Sequence, residues 1–129
     1  MKFSVPVHLG DDALASEDPS FIKIDVEGFE TSVILGLIKI IERCSPIIVT
    51  EVSASHLERA GSSVEKLKSV MERLGYCGFK LTLRKINRRY DWCLADFDPS
   101  KSDYDAVWLN ESVAQQRLIA ERRIHGDDH

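Results

Sequence analysis

One segment, Phe21 to Val52, limits the fold of this chain more than any other. It opens with a short run rich in β-branched residues, Phe21 to Val26, which predicts a strand, and Gly28 marks a turn directly after it. Apolar residues then recur every three or four positions, which predicts one amphipathic helix from about Phe29 to Arg43.

The second half of this segment predicts a partner for the first strand. Pro46 ends the helix, and Ile47 to Val52 forms a run with little polar alternation, typical of a strand buried on both faces. Two such strands joined by a helical crossover form a βαβ unit, which is right-handed and parallel in nearly all proteins. The sequence therefore predicts an α/β fold.

A second helix follows this unit. Ser62 and Glu65 stand at the spacing of a capping box, apolar residues line one face after them, and Gly75 ends the helix. The segment after it predicts different strands. In Phe79 to Arg84 apolar and polar residues alternate, as in a strand buried on one face, and Tyr104 to Leu109 is a third β-like run.

We expect these late strands to pair antiparallel at one edge of the sheet. Asn110 is placed to cap a last helix through about Ile124, and we expect the residues after it to fray. The boundaries are then residues 1–110 for the α/β domain and residues 111–129 for the helix and tail.

Composition excludes several classes of protein. With 129 residues, 43% of them apolar, the chain can form one domain with a core, and no apolar stretch is long enough to cross a membrane. The formal charge of -4 disfavours a general binder of nucleic acid or anionic membrane. The N-terminus lacks the features of a secretory signal, and the odd, widely spaced cysteines suggest no disulfide framework, so we expect a cytoplasmic protein.

Carboxylates cluster where the first strand gives way to the helix. Asp25, Glu27 and Glu30 lie there, and Glu51 lies near the end of the neighbouring parallel strand, so all four border the crevice in which open α/β sheets bind ligands. Glu30 fits a helix-terminus charge. Asp25 stands in an otherwise apolar strand, where burying a carboxylate is costly unless it is hydrogen-bonded or bound to a ligand, so we expect it to be functional.

Two further hypotheses concern the same crevice. His56 follows the second strand in a predicted loop and is placed to act as a base on an acceptor hydroxyl, although an exposed loop histidine without a role is the alternative. A divalent metal held by Asp25, Glu27 and Glu51 is a second alternative, but no ligand spacing requires it, and we predict no metal site.

The residues just described carry a resemblance to a known family. The segment from Phe21 to Glu30, followed by the Leu35-Gly36 step, Pro46 and Glu51, resembles the central motif of the FkbM-type S-adenosylmethionine-dependent methyltransferases. The resemblance extends from about Asp11 to Leu109.

This resemblance implies a class I, Rossmann-like methyltransferase fold with a mostly parallel sheet and a late antiparallel reversal. Phe21 to Val26 would be its fourth strand and Ile47 to Val52 its fifth. The implied cofactor is S-adenosylmethionine, and the implied reaction is methylation of a hydroxyl oxygen on a small molecule or glycan. Asp25 and Glu27 would lie at the point of methyl transfer, with Asp25 contacting the cofactor and Glu51 and Glu27 contacting the acceptor.

The chain also departs from the family pattern. No glycine-rich turn and no earlier strands precede Phe21, so we expect residues 1–110 to correspond to the C-terminal half of such a domain, with the N-terminal half missing. The alternative function is therefore a non-catalytic fragment, or an assembly half that acts only with a second copy or a complementing N-terminal half. A third reading, a nucleic-acid-binding module, rests only on the basic residues between Lys80 and Arg89 with Tyr90 and Trp92 beside them.

Overall fold

The computed structural model describes residues 2–116 and has an α/β architecture. Its elements in chain order are α1 (Gly10–Ala13), β1 (Phe21–Ile24), α2 (Glu30–Leu35), α3 (Ile38–Cys44), β2 (Ile47–Val52), α4 (Ala54–Arg59), α5 (Val64–Arg73), β3 (Tyr76–Ile86), β4 (Arg89–Asp96) and β5 (Tyr104–Asn110). Residues 111–116 are helical, and the Asn110 side chain accepts a hydrogen bond from the Ser112 N–H (3.1 Å). The rest of the predicted last helix and the tail lie outside the described residues.

The five strands form one mixed sheet in the order β1-β2-β5-β3-β4. As predicted, β1 and β2 pair in parallel, with Phe21 opposite Ile47 and Ile24 opposite Thr50. The expectation of a mostly parallel sheet is not confirmed, because β1 with β2 is the one parallel pair among the described strands. β3 runs in the same direction as β2, but the antiparallel β5 separates them.

The late strands do pair antiparallel, as expected, but their position differs from the prediction. β5 is central, between β2 and β3, and β4 rather than β3 forms the edge. The sequence prediction missed β4 altogether. Asn87 and Arg88 both adopt positive φ (48° and 68°), which closes a two-residue hairpin between β3 and β4.

The single helix predicted from Phe29 to Arg43 is wrong, because the structure contains two helices, α2 and α3, with a break at Gly36 and Leu37. Asp11 stabilises the break from outside. Its carboxylate accepts hydrogen bonds from the Lys39 N–H (3.1 Å) and the Ile40 N–H (3.0 Å), and so satisfies donors at the start of α3.

The cap of α5 also differs by one residue from the prediction. Ser63, not Ser62, is the N-cap, and its hydroxyl accepts a hydrogen bond from the Lys66 N–H (3.1 Å). The hydroxyl of Ser62 instead bonds to that of Thr31 (2.8 Å), which ties the start of α5 to α2. Gly75 follows α5 with φ +80°, and the helix ends where it was predicted to end.

The core occupies one face of the sheet. A single cluster joins residues of α2 to α5 with every second residue of β1, β2 and β5, such as Ile24, Ile48 and Trp108. The buried Trp108 donates its indole N–H to the Thr50 hydroxyl (3.0 Å). The other face, called the outer face below, carries the alternate residues, among them Val49 and Val107, which are only half-buried.

The three cysteines are free and half-buried. Among the described residues, no helix combines the length and the hydropathy needed to cross a membrane.

Candidate functional site

The ends of β1 and β2 bring acidic side chains to one edge of the sheet, called the carboxyl edge below. Asp25 directly follows β1, and Glu51 is the penultimate residue of β2. Glu51 lies directly opposite Asp105 of β5, so these two carboxylates share the outer face. Like charges directly opposite each other destabilise a sheet, so this pair does not stabilise the fold.

The turn after β1 holds the other two carboxylates of the predicted cluster. Glu27 adopts a positive φ of 49° and is exposed, and Gly28 follows with φ 106°. Glu30 is only 1% exposed, and its carboxylate accepts a hydrogen bond from the Gly28 N–H (2.9 Å). Glu30 therefore fastens the turn to the start of α2, which agrees with its interpretation as a helix-terminus charge.

The predicted burial of Asp25 within a strand is wrong. β1 ends at Ile24, one residue before Asp25, and the Asp25 side chain is exposed. Its carboxylate therefore keeps its contact with water, and no desolvation cost demands a ligand. What remains is its position at the carboxyl edge and its electrostatic effect on Glu51.

Glu51 is the carboxylate whose protonation the site perturbs. Partial burial raises its pKa, and the negative charge of Asp25 raises it further, with smaller contributions in the same direction from Glu30 and Asp105. His56 acts in the opposite direction and lowers the pKa of Glu51. Among the ionisable groups around Glu51, Asp25 and His56 affect its pKa most.

His56 lies in α4 and not in the predicted loop. Its side chain is half-buried, and Nδ1 is enclosed with no hydrogen-bond partner among residues 2–116. The loop prediction failed because α4 spans only six residues, too few to show a helical period. A β-carbon on Gly28 would overlap the carbonyl oxygen of His56, so the turn after β1 packs directly against α4.

The structure gives the metal alternative no support. In the part of the chain that the structure describes, no group of three or more His, Cys, Asp or Glu side chains is arranged to hold a metal ion. Asp25, Glu27 and Glu51 are therefore not assembled as a ligand set.

Sequence reasoning missed Asp105, the carboxylate opposite Glu51. It stands in a β-like run, between Tyr104 and Ala106, which are both buried on the core face. Alternation within that run could have assigned Asp105 to the opposite face. Its position opposite Glu51 depends on the pairing of β5 with β2, which separates the two residues widely in the sequence.

The basic segment noted in the sequence lies mostly in the β3–β4 hairpin. Arg84 and Asp91 form a cross-strand pair, and Ile86 pairs with Arg89, on the face opposite Trp92 and Leu83. Lys85 pairs with Tyr90 and lies on the same face as the aromatic rings, whereas Arg84 and Arg89 do not. The cations are thus divided between the two faces, while a nucleic-acid-binding platform concentrates them beside the aromatic rings.

Comparison with known proteins adds one match. The family model described as "Methyltransferase FkbM domain" matches residues 6–80, which is more than half of the 129-residue chain. Neither the curated proteins nor the solved structures contain a match to the chain. The matched residues include β1, the turn at Gly28, and β2 with Glu51, and the chain therefore belongs to the FkbM methyltransferase family.

Proposed function

We propose that this chain takes part in S-adenosylmethionine-dependent methylation of a hydroxyl oxygen on a small molecule or glycan, at the carboxyl edge formed by β1 and β2. Family membership supports methyl transfer in general. The observation that carries the location is the pairing of Glu51 with Asp105 on the outer face, beside Asp25. In open α/β sheets, ligands bind at the carboxyl ends of the strands.

The residues at this edge suit the charged part of the cofactor. The sulfonium and ammonium groups of S-adenosylmethionine are cations, and Asp25, Glu51 and Asp105 supply a concentration of negative charge. When bound, the cofactor supplies an electrophilic methyl group. The chain's own task is then to orient the acceptor hydroxyl and to take up its proton.

Glu51 is our choice for the proton acceptor. A carboxylate with a raised pKa is a better base than an ordinary one, because the pKa of an efficient catalytic base approaches the working pH. We assign Asp25 a positioning role, since it is exposed at the same edge and its charge raises the pKa of Glu51. His56 is the second candidate base, and its buried Nδ1 leaves Nε2 as the nitrogen available to an acceptor.

The first test is calorimetric titration of the chain with S-adenosylmethionine and with S-adenosylhomocysteine, which lacks the sulfonium charge. We expect both to bind, the charged cofactor more tightly. This preference should shrink in Asp25→Asn and Glu51→Gln and persist in Glu42→Gln, an exposed carboxylate on α3. Equal preference in all four proteins would mean that the acidic edge does not contribute to cofactor binding. Absence of any binding would contradict the proposal for this chain alone.

A second candidate function rests on β1. This strand lies at one end of the sheet with a neighbour on one side only among the described strands, and Phe21 is 55% exposed. Such an edge can pair with another chain, either a second copy or a complementing methyltransferase half. Sedimentation of the chain at several concentrations tests self-association. A chain that stays monomeric at all of them would exclude a second copy as the partner of β1.

A further inference from the structure

The β3–β4 hairpin extends beyond the sheet as an arm, defined here as residues 81–94. β5 pairs with β3 only as far as the pair of Lys80 with Ala106, whereas β4 follows β3 to its end at Ile86. Because β3 runs in the same direction as β2, the arm projects past the carboxyl edge. At about 3.4 Å per residue, the part of β3 beyond the level of Val52 is roughly 14 Å long.

One face of this arm is apolar and aromatic. Leu81 pairs with Leu94, Leu83 with Trp92, and Lys85 with Tyr90, and directly paired residues point to the same face of a sheet. Trp92 is 68% exposed and Tyr90 65%, and the Lys85 ammonium lies 5.8 Å from the centre of the Tyr90 ring. This face presents two open aromatic rings on strands fixed by cross-strand pairing.

The aromatic face of the arm is continuous with the outer face of the sheet, where Glu51 and Asp105 lie. Phe79 pairs with Val107 on the outer face, and Leu81 and Leu83 follow it at alternate positions along β3. Trp92 therefore stands about two residues along the strand direction and two strands across from Asp105, roughly 7 Å and 10 Å respectively. The space between them is the length of one or two six-membered rings.

The charges around this face restrict what can bind there. Lys85 is the one cation among the paired residues of the aromatic face, because Arg84 and Arg89 lie on the opposite face of the arm and cannot neutralise the phosphates of a nucleic acid stacked on Trp92. Asp96 and Asp105 lie on the aromatic side and repel polyanions and anionic membranes. A neutral ring with an apolar face can stack on Trp92 and Leu83, while its hydroxyl groups face the carboxylates.

We propose that the aromatic face of the arm binds the ring of a hydroxylated cyclic acceptor, a sugar or an aryl ring, and directs one of its hydroxyls toward Glu51 and Asp105. This inference rests on the proposed function, since it names the class of acceptor for the same edge. Sugars and phenols share the required chemistry, a ring with an apolar face and a hydroxyl at its rim.

The two tryptophans of the chain allow a direct test by NMR of the ¹⁵N-labelled protein. Trp92 is exposed, whereas Trp108 is fully buried and hydrogen-bonded to Thr50, so its indole signal serves as an internal reference. Methyl β-glucoside and catechol are titrated separately. We expect one of them to shift the Trp92 signal in a saturable way and to leave the Trp108 signal in place, and the probe that does so identifies the source of the ring.

Variants locate the binding surface. Trp92→Ala should weaken binding of the active probe about tenfold, followed through the backbone signals of the arm, and Trp92→Phe should restore most of it because the ring is retained. Arg84→Gln, on the opposite face of the arm, is the matched control and should leave the affinity unchanged. The Trp108 signal reports whether each variant keeps its fold.

Three results would overturn the proposal: no shift with either probe at tens of millimolar, equal weakening by Arg84→Gln and Trp92→Ala, or a Trp92 signal that changes with protein concentration alone, which would mean that a second copy covers the arm. The titration uses no methyl donor. A chain that fails to bind S-adenosylhomocysteine but passes this test refutes the proposed function alone, and the reverse result refutes only the acceptor platform.

Discussion

The crossover from Phe21 to Val52 and the arm of residues 81–94 differ in what holds them in place. In the crossover, α2 and α3 contribute fully buried residues such as Ile34 and Ile40 to the core cluster. In the arm, Leu83 is 52% exposed, and no residue of the arm belongs to the core cluster. The comparison indicates that stability is concentrated in the crossover, which leaves the arm free to carry side chains selected for binding.

The largest effect should separate the two regions directly. Ile34→Ala removes a fully buried side chain from the core cluster and should lower the free energy of unfolding by about 2–5 kcal/mol, because it leaves a cavity. Leu83→Ala in the arm should change it by less than about 1 kcal/mol. Urea unfolding of both variants measures the difference, and equal losses would mean that the arm belongs to the same cooperative core.

A smaller loss of stability is expected from a substitution in the turn of the crossover. Gly28→Ala places a β-carbon against the His56 carbonyl oxygen, in addition to the strain of φ +106°. Gly61→Ala is the matched control, since it carries φ +78° with no atom within 4 Å of the added carbon. We expect Gly61→Ala to cost about 1 kcal/mol and Gly28→Ala clearly more, because only the second forces α4 away from the turn.

Thermal unfolding followed by circular dichroism gives both values. Similar losses for the two glycine variants would show that backbone strain alone explains them and that the contact between the turn and α4 contributes little. In that case His56 would not depend on Gly28 for its position.

The crossover was predictable because local patterns determine it. Strand runs, helical spacing and Pro46 all lie within the segment that they describe, and β2 was predicted to its observed ends. The break between α2 and α3 was not predictable in this way, since the Asp11 side chain that caps α3 comes from a distant part of the chain. Likewise, β4 mixes polar and apolar residues and follows a turn without glycine, so its sequence carries little strand signal.

The same distinction, between features set by local patterns and features set by distant pairing, applies to the candidate site. The position of Glu51 near the end of a parallel strand follows from local pattern, and its proximity to Asp25 follows from the parallel pairing of β1 and β2. The Asp25 burial error arose from a strand boundary, the least certain feature of such predictions. Asp105 faces Glu51 only through an antiparallel pairing between distant segments, which no local pattern contains.

The smallest expected effect concerns Glu51, where the stable region meets the proposed binding surface. Its pKa is raised in the folded protein, so folding favours the protonated side chain, and stability falls as the pH rises through the folded-state pKa. Glu51→Gln cannot ionise and should therefore stabilise the protein at pH 7. Because Glu51 is only partly buried, water screens the repulsion and the gain should be at most about 1 kcal/mol.

The gain should disappear below the unfolded-state pKa of glutamate, about 4.3, where the wild-type side chain is protonated in both states. Urea unfolding of the two proteins between pH 4 and pH 8 measures this difference. A variant that is less stable at pH 7 would show that the Glu51 carboxylate makes favourable interactions that outweigh its repulsion from Asp25 and Asp105. A variant that is more stable yet loses cofactor discrimination would fit a residue retained at the carboxyl edge for binding at the expense of stability.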